Sequence, residues 1–209
     1  MNIRAVLLDC DGVLQRPAND WAGEIGALTG LDGERLTELL ADISAHEQPV
    51  LDGSEAFEVV LRDVLARWDL PVGAEDLLKV WQHLAVDPGM LDAVAALRDR
   101  GLRCALGTNQ HRERATYMRA TLGYERFFEP MIISAEIGVA KPDPGFFRRA
   151  VAELGLAAGQ VLFVDDVPAN VEGARSVGLV AECFAKDAGR DELDRILALH
   201  DLAEPVAAA

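Results

Sequence analysis

The stretch "LLDCDGVL", residues 7–14, ends a short apolar run in two carboxylates one residue apart, Asp9 and Asp11, with Gly12 directly behind them. An uninterrupted apolar run closed by a turn residue suits a strand buried on both faces. Two acids are an uncomfortable end for such a strand, because they repel each other and lose hydration. Either they form a solvated Asp-Gly turn, or a divalent cation balances them. Mg²⁺ favours a few carboxylate oxygens together with waters and phosphate oxygens. Gly12 lets the backbone turn sharply and approach a ligand closely. Cys10, between the acids, points the other way in a strand and is expected to pack in the core.

Further apolar runs of strand character lie at residues 102–107, 131–134, 161–164 and 179–184, besides the first at 3–8. Helical periodicity separates the later ones: Phe147, Ala150, Val151 and Leu154 share one face, as do Ala115, Met118 and Leu122. Continuous strands alternating with amphipathic helices predict a parallel sheet covered on both faces. Residues 15–86 break the alternation. Leu36, Leu39, Leu40 and Ile43 form one helical stripe, Phe57 to Trp68 a longer one, and Leu77, Trp81 and Leu84 a third, with no convincing strand. A helical insert of about 70 residues is expected here. "DPGMLDAV" then restarts the α/β region, Pro88 and Gly89 standing ahead of a helix. The terminal "AEPVAAA" is expected to be mobile.

The chain has 209 residues, a formal net charge of −15 and 50% hydrophobic residues. That charge argues against nucleic acid and anionic membranes as partners, and an anionic substrate would need local cations. No apolar run approaches the roughly 18–20 residues of a membrane span, and the N-terminus lacks the pattern of a secretory signal. Cys10, Cys104 and Cys183 lie in apolar runs and are expected to be reduced core residues of a cytoplasmic protein.

Three more strand ends carry chemistry. "LRCALGTNQ" ends in Thr108 and Asn109, small donors suited to phosphate oxygens; "GVAKPDP" stiffens Lys141 between prolines; "VLFVDDVPAN" closes with Asp165 and Asp166, and Asn170 follows a turn later. Ligands bind at the carboxyl ends of strands in open parallel sheets. Taken in order, the four motifs resemble those of the haloacid dehalogenase-like (HAD) hydrolase superfamily. The likeness implies an α/β fold: a Rossmann-like parallel sheet, residues 1–15 and 87–209, with a small all-helical cap, residues 16–86, inserted after the first strand.

By this resemblance Asp9 is the nucleophile, forming an aspartyl-phosphate, and Asp11 is the general acid and base, its pKa raised by crowding against Asp9. Gly12, Thr108, Asn109 and Lys141 would hold the phosphoryl oxygens. Asp9, Asp166 and the Asp11 carbonyl would bind Mg²⁺. Asp165 would bind it through water or pair with Lys141, and Asn170 would support the set from behind. The second acid favours phosphoryl chemistry, since a departing halide needs no proton. The implied activity is Mg²⁺-dependent hydrolysis of a small phosphorylated metabolite, loosely like that of bacterial sugar-1-phosphate phosphatases. A phosphomutase and a non-catalytic HAD-like binding module remain as alternatives. Trp21, His46, Gln110 and His111 are candidate substrate contacts, with a solvated loop the leading alternative for His46 and helix capping nearly as good an explanation for Gln110 and His111. Trp68 and Trp81 lie on helical stripes and belong to the insert's own core. Oligomeric state is not readable from one dimension.

Overall fold

Runs such as Ala5-Val6-Leu7-Leu8 have no polar face to show to water, so they hold together only where both sides are covered. A computed structural model describes residues 2–202. Strand β1 (Ala5–Leu8) enters a tight turn and a short strand β2 (Gln15–Pro17). Helices α1 (Trp21–Thr29), α2 (Gly33–Ala45), α3 (Gln48–Leu51), α4 (Phe57–Arg67) and α5 (Ala74–Val80) follow, and β3 (Leu84–Val86) returns the chain. Then come α6 (Pro88–Asp99), β4 (Arg103–Thr108), α7 (Arg112–Ala120), β5 (Met131–Ile133), α8 (Ser134–Ile137) and α9 (Pro144–Leu154). The chain continues through β6 (Val161–Asp165), α10 (Pro168–Ser176), β7 (Val180–Cys183) and α11 (Arg190–Leu199). The last terminal residues, "AEPVAAA", lie outside the described residues.

Five strands form one parallel sheet in the order β5-β4-β1-β6-β7. Alternation along β1 sorts its side chains into two layers. Val6 and Leu8 pack with Met90, Val94, Met118 and Ile196 on the face covered by α6, α7 and α11. Ala5 and Leu7 pack with Phe146, Phe147 and Val171 on the face covered by α9 and α10. Full burial of such side chains stabilises by about 1.5–3 kcal/mol each, so the middle strand is anchored from both sides. Apolar residues of the insert, from Ile25 to Trp81, form a third cluster of their own.

The expectation of no strand in the insert is corrected. Gln15–Pro17 pairs antiparallel with Leu84–Val86, joining the outgoing and returning chain in a two-stranded ribbon. Three-residue strands are too short to show a period, and Leu84, expected on a helical stripe with Leu77 and Trp81, sits in this ribbon. Pro88 stands inside the first turn of α6 rather than ahead of it, with Asp87 as the cap, its carboxylate accepting from the amides of Gly89 (2.9 Å) and Met90 (3.3 Å). Cys10 and Cys104 are buried as expected, but Cys183 is exposed, because β7 is an edge strand with one open side. Among the described residues no helix is long and apolar enough to cross a membrane.

Candidate active site

Register brings the carboxylates together. Leu8 stands opposite Leu106 on β4 and Val164 on β6, and the Asp9 amide donates to the Val164 carbonyl (2.9 Å). Asp9 therefore lies beside Asp165 as the strands end. Lys141 reaches between them from the loop before α9, its Nζ 2.7 Å from Asp9 Oδ1 and 2.6 Å from Asp165 Oδ2. The lysine is 5% exposed and Asp165 fully buried. Burial pushes Asp9 up to about 7, against the pull of the Lys141 charge. Burial draws Lys141 down, but the two carboxylates outweigh it and hold the ammonium above the ordinary lysine range.

Several contacts aim this lysine. The Asn109 side chain clamps the Lys141 backbone, Oδ1 accepting its amide N–H (2.8 Å) and Nδ2 donating to its carbonyl (2.9 Å). Gly173 lets α10 press on the same loop, since a Cβ there would lie 2.4 Å from the Pro142 carbonyl oxygen. Asp165 also accepts from the Val167 amide (2.8 Å) and from Asn170 Nδ2 (3.0 Å). Asp165 is thus committed to Lys141, Val167 and Asn170.

Asp166 is half-buried, and burial, followed by the neighbouring Asp165 charge, raises its pKa. Carboxylate oxygens of Asp9, Asp165 and Asp166 lie within 4.8 Å of one another. Three carboxylates facing one ammonium leave an excess of negative charge, and an all-oxygen donor set of this kind fits a hard divalent cation. Gly12 has φ +81°, and a Cβ on it would lie 2.4 Å from Asp166 Oδ2. The left-handed φ is what favours glycine here, and a Cβ would also have to displace the Asp166 carboxylate. A cavity of about 270 Å³ opens here, lined by Asp9, Asp11, Thr108, Lys141, Asp166 and Lys186 among others.

Asp11 is placed differently from expectation. Its carboxylate does not stand unscreened against Asp9. Oδ1 accepts from Arg114 Nη2 (2.8 Å) and Gln15 Nε2 (2.9 Å), and Oδ2 accepts from Gln110 Nε2. Gln15 is fixed in turn by the Tyr124 hydroxyl, which donates to its Oε1 (2.8 Å). The turn after β1 makes this possible: the Cys10 carbonyl accepts the amides of Leu14 (2.8 Å) and Gln15 (3.1 Å), folding Gln15 back beside Asp11.

The candidate substrate contacts separate. Gln110 reaches Asp11. His111 caps α7, its Nδ1 accepting the Arg114 amide (3.2 Å) with Glu113 Oε2 3.3 Å from the same nitrogen. Trp21 packs on Trp81 with ring centroids 5.7 Å apart, and Arg114 lies over its ring at 5.4 Å. His46 is corrected: it is exposed, its ring bonded to the Asp42 carbonyl (2.7 Å) at the end of α2, away from the cavity. Trp81 is buried within the insert, and Trp68 packs at that cluster's edge, donating to Asp42 (2.8 Å).

Sequence reasoning missed Gln15, Arg114 and Lys186. Lys186 follows the end of β7, where the strand-end rule would have found it. Gln110 and Arg114 are spaced to share a helix face, but no local signal says that an arginine in "QHRER" is buried.

The family model of the haloacid dehalogenase-like hydrolases matches residues 3–178. The chain is 31% identical over 199 residues to Phosphatase MT3486 of Mycobacterium tuberculosis, with 87% of each chain covered. It is 30% identical over 192 residues to a phosphoglycolate phosphatase of Cupriavidus necator, covering 84% of this chain and 78% of that one. Among solved structures, the HAD family enzyme BT-2542 of Bacteroides thetaiotaomicron aligns with a TM-score of 0.76 at 20% identity, covering 92% of this chain and 98% of that one. The same enzyme has been solved with magnesium and inorganic phosphate. At that identity the structural likeness speaks for the fold alone, whereas the family model spans most of the sequence. The chain belongs to the haloacid dehalogenase-like hydrolases.

Proposed function

We propose that this protein is a Mg²⁺-dependent phosphatase of small phosphorylated metabolites, acting through an aspartyl-phosphate on Asp9, with residues 16–86 as a cap over the sheet domain. The observation that carries the reading is the buried Asp9 at a strand end, hydrogen-bonded to Lys141 and followed two residues later by a second carboxylate. Relatives named as phosphatases support it.

In this reading Lys141 holds Asp9 Oδ1 and leaves Oδ2 to attack phosphorus. The bond from phosphorus to the ester oxygen breaks, and Asp11 supplies the proton that the departing alkoxide needs. Asp11 then takes a proton from the water that hydrolyses the aspartyl-phosphate, releasing inorganic phosphate and free Asp9. Thr108 and Lys141 stabilise the phosphoryl oxygens as charge shifts. Asp9 and Asp166, with Asp165 behind them, would hold Mg²⁺, which would neutralise charge on the carboxylates and the phosphoryl group. Because burial already favours a protonated Asp9, a cation there also helps to keep the nucleophile ionised.

The test is phosphate release from a panel of small phosphate esters, with Mg²⁺ and with EDTA. Turnover with Mg²⁺, loss in EDTA and loss in a folded Asp9→Asn variant are expected. Normal turnover by Asp9→Asn would sink the mechanism.

A further inference from the structure

Among the described residues, three buried side-chain nitrogens have no hydrogen-bond partner: Trp21 Nε1, His111 Nε2 and Arg114 Nε. One string of contacts joins them. The Arg114 guanidinium lies over Trp21, Trp21 packs on Trp81, Trp81 meets Phe57 edge-on at 5.1 Å, and Phe57 lies 4.6 Å from the His111 ring. Trp21, Phe57 and Trp81 come from the insert; His111 and Arg114 come from the start of α7. The orphaned groups thus gather in the seam between insert and sheet domain. That seam meets the cavity at Asp11, which Arg114 holds.

Two of the three groups are donors whatever their surroundings. Indole and guanidinium nitrogens carry an N–H and offer no lone pair. His111 Nδ1 faces both the Arg114 amide (3.2 Å) and the Glu113 carboxylate (3.3 Å), so Nε2 serves as donor or acceptor according to which of them holds the ring. A buried donor without an acceptor weakens the fold, and native structures keep few of them. Two such donors, with a histidine nitrogen along the same string of contacts, mark a seam suited to an acceptor.

We propose that the seam is the leaving-group subsite and that it binds a carboxylate, so that the substrate is a short phosphorylated hydroxy acid. The inference rests on the phosphatase reading and narrows its substrate class. In-line displacement puts the leaving oxygen on the side of phosphorus away from Asp9, within the reach required of Asp11. The remainder of a short ester then extends from Asp11 toward Arg114. A hydroxyl would bring its own proton to the indole and guanidinium, which have only protons to give. A carboxylate accepts only, with about four lone-pair sites, and its planar shape matches a guanidinium. Arg114 is 4% exposed, so the ligand enters with the insert lifted, and closure over it completes the missing hydrogen bonds together.

Two esters of similar size separate the alternatives: 2-phosphoglycolate, which carries the carboxylate, and 2-hydroxyethyl phosphate, which does not. Calorimetric titration of Asp9→Asn with Mg²⁺ gives affinities without turnover, and phosphate release by the unaltered protein gives kcat/KM. The acid is expected to bind at least about tenfold more tightly and to show the same preference in kcat/KM. Trp21→Phe keeps an aromatic ring, though a smaller one, and loses the N–H; it should reduce the acid-to-neutral ratio about tenfold, a charge-assisted hydrogen bond's share. Any effect common to both esters divides out of that ratio. Equal binding of the two esters, or a ratio untouched by Trp21→Phe, overturns the inference. Absence of phosphate release from either ester would instead overturn the phosphatase reading, and the binding arm would still decide the subsite.

Discussion

Replacing Lys141 by Met removes the cation between Asp9 and Asp165 while keeping an unbranched side chain in its place. The wild-type ammonium sits 2.7 Å and 2.6 Å from the two carboxylates, and all three groups are buried. Removing one partner from a buried ion pair costs about 3–5 kcal/mol. Asp165 keeps its bonds from Val167 and Asn170, so the loss falls chiefly on Asp9. In a protein of this size the fall in Tm is on the order of 10 °C. The pH dependence follows from Asp9, whose folded pKa is already raised to about 7. A raised carboxyl pKa favours the fold's protonated form, and its stability penalty grows as pH rises above the unfolded value toward the folded one. Loss of Lys141 raises that pKa further. The Asp9 part of the variant's deficit should therefore be small near pH 5.5, where Asp9 is neutral in both proteins, and should grow by about 1.4 kcal/mol per pH unit above about 7. Urea unfolding of both proteins in EDTA at the two pH values measures it. A deficit under about 1 kcal/mol at pH 8, or one that grows on acidification, would refute the reasoning.

Asn109→Ala unclamps the Lys141 backbone and leaves a buried amide and carbonyl short of partners; a loss of about 1–3 kcal/mol is expected in denaturant unfolding, together with a lower kcat. Gly12→Ala places a Cβ 2.4 Å from Asp166 Oδ2 at φ +81°. It should weaken Mg²⁺ binding by calorimetry and destabilise by about 1–2 kcal/mol from backbone strain alone. Mg²⁺ at about 100 times its Kd should add about 2.7 kcal/mol of stability, seen as a rise in Tm that EDTA abolishes and Asp166→Asn largely removes.

The sheet was legible because its signal is local. The central strands are apolar runs, and β1, β4 and β6 end at Asp9, Thr108 and the Asp165–Asp166 pair, so these were found by one rule; Lys141, expected at a strand end too, lies beyond α8 in the loop before α9 and was legible only from its flanking proline motif. The ribbon from Gln15–Pro17 to Leu84–Val86 was not, because pairing across about 70 residues leaves no trace in either three-residue partner. Asp11 shows the same limit at the site. Its position after β1 was plain, but the groups that hold its carboxylate, Gln15, Gln110 and Arg114, are assembled by a turn and a helix that only the folded chain brings together. His46, which the sequence left between a pocket contact and a solvated loop, takes the second place: its ring is exposed and bonded to the end of its own helix.

The central claim is that Asp9 carries the phosphoryl group. Wild-type protein mixed with a turned-over ester and Mg²⁺, quenched in acid within one turnover and mapped by peptide mass, tests it directly. A phosphoryl group on the peptide containing Asp9, absent from Asp9→Asn, is the predicted result. Phosphate release at full rate with the group on another residue, or with no phosphorylated peptide at any quench time, would contradict it.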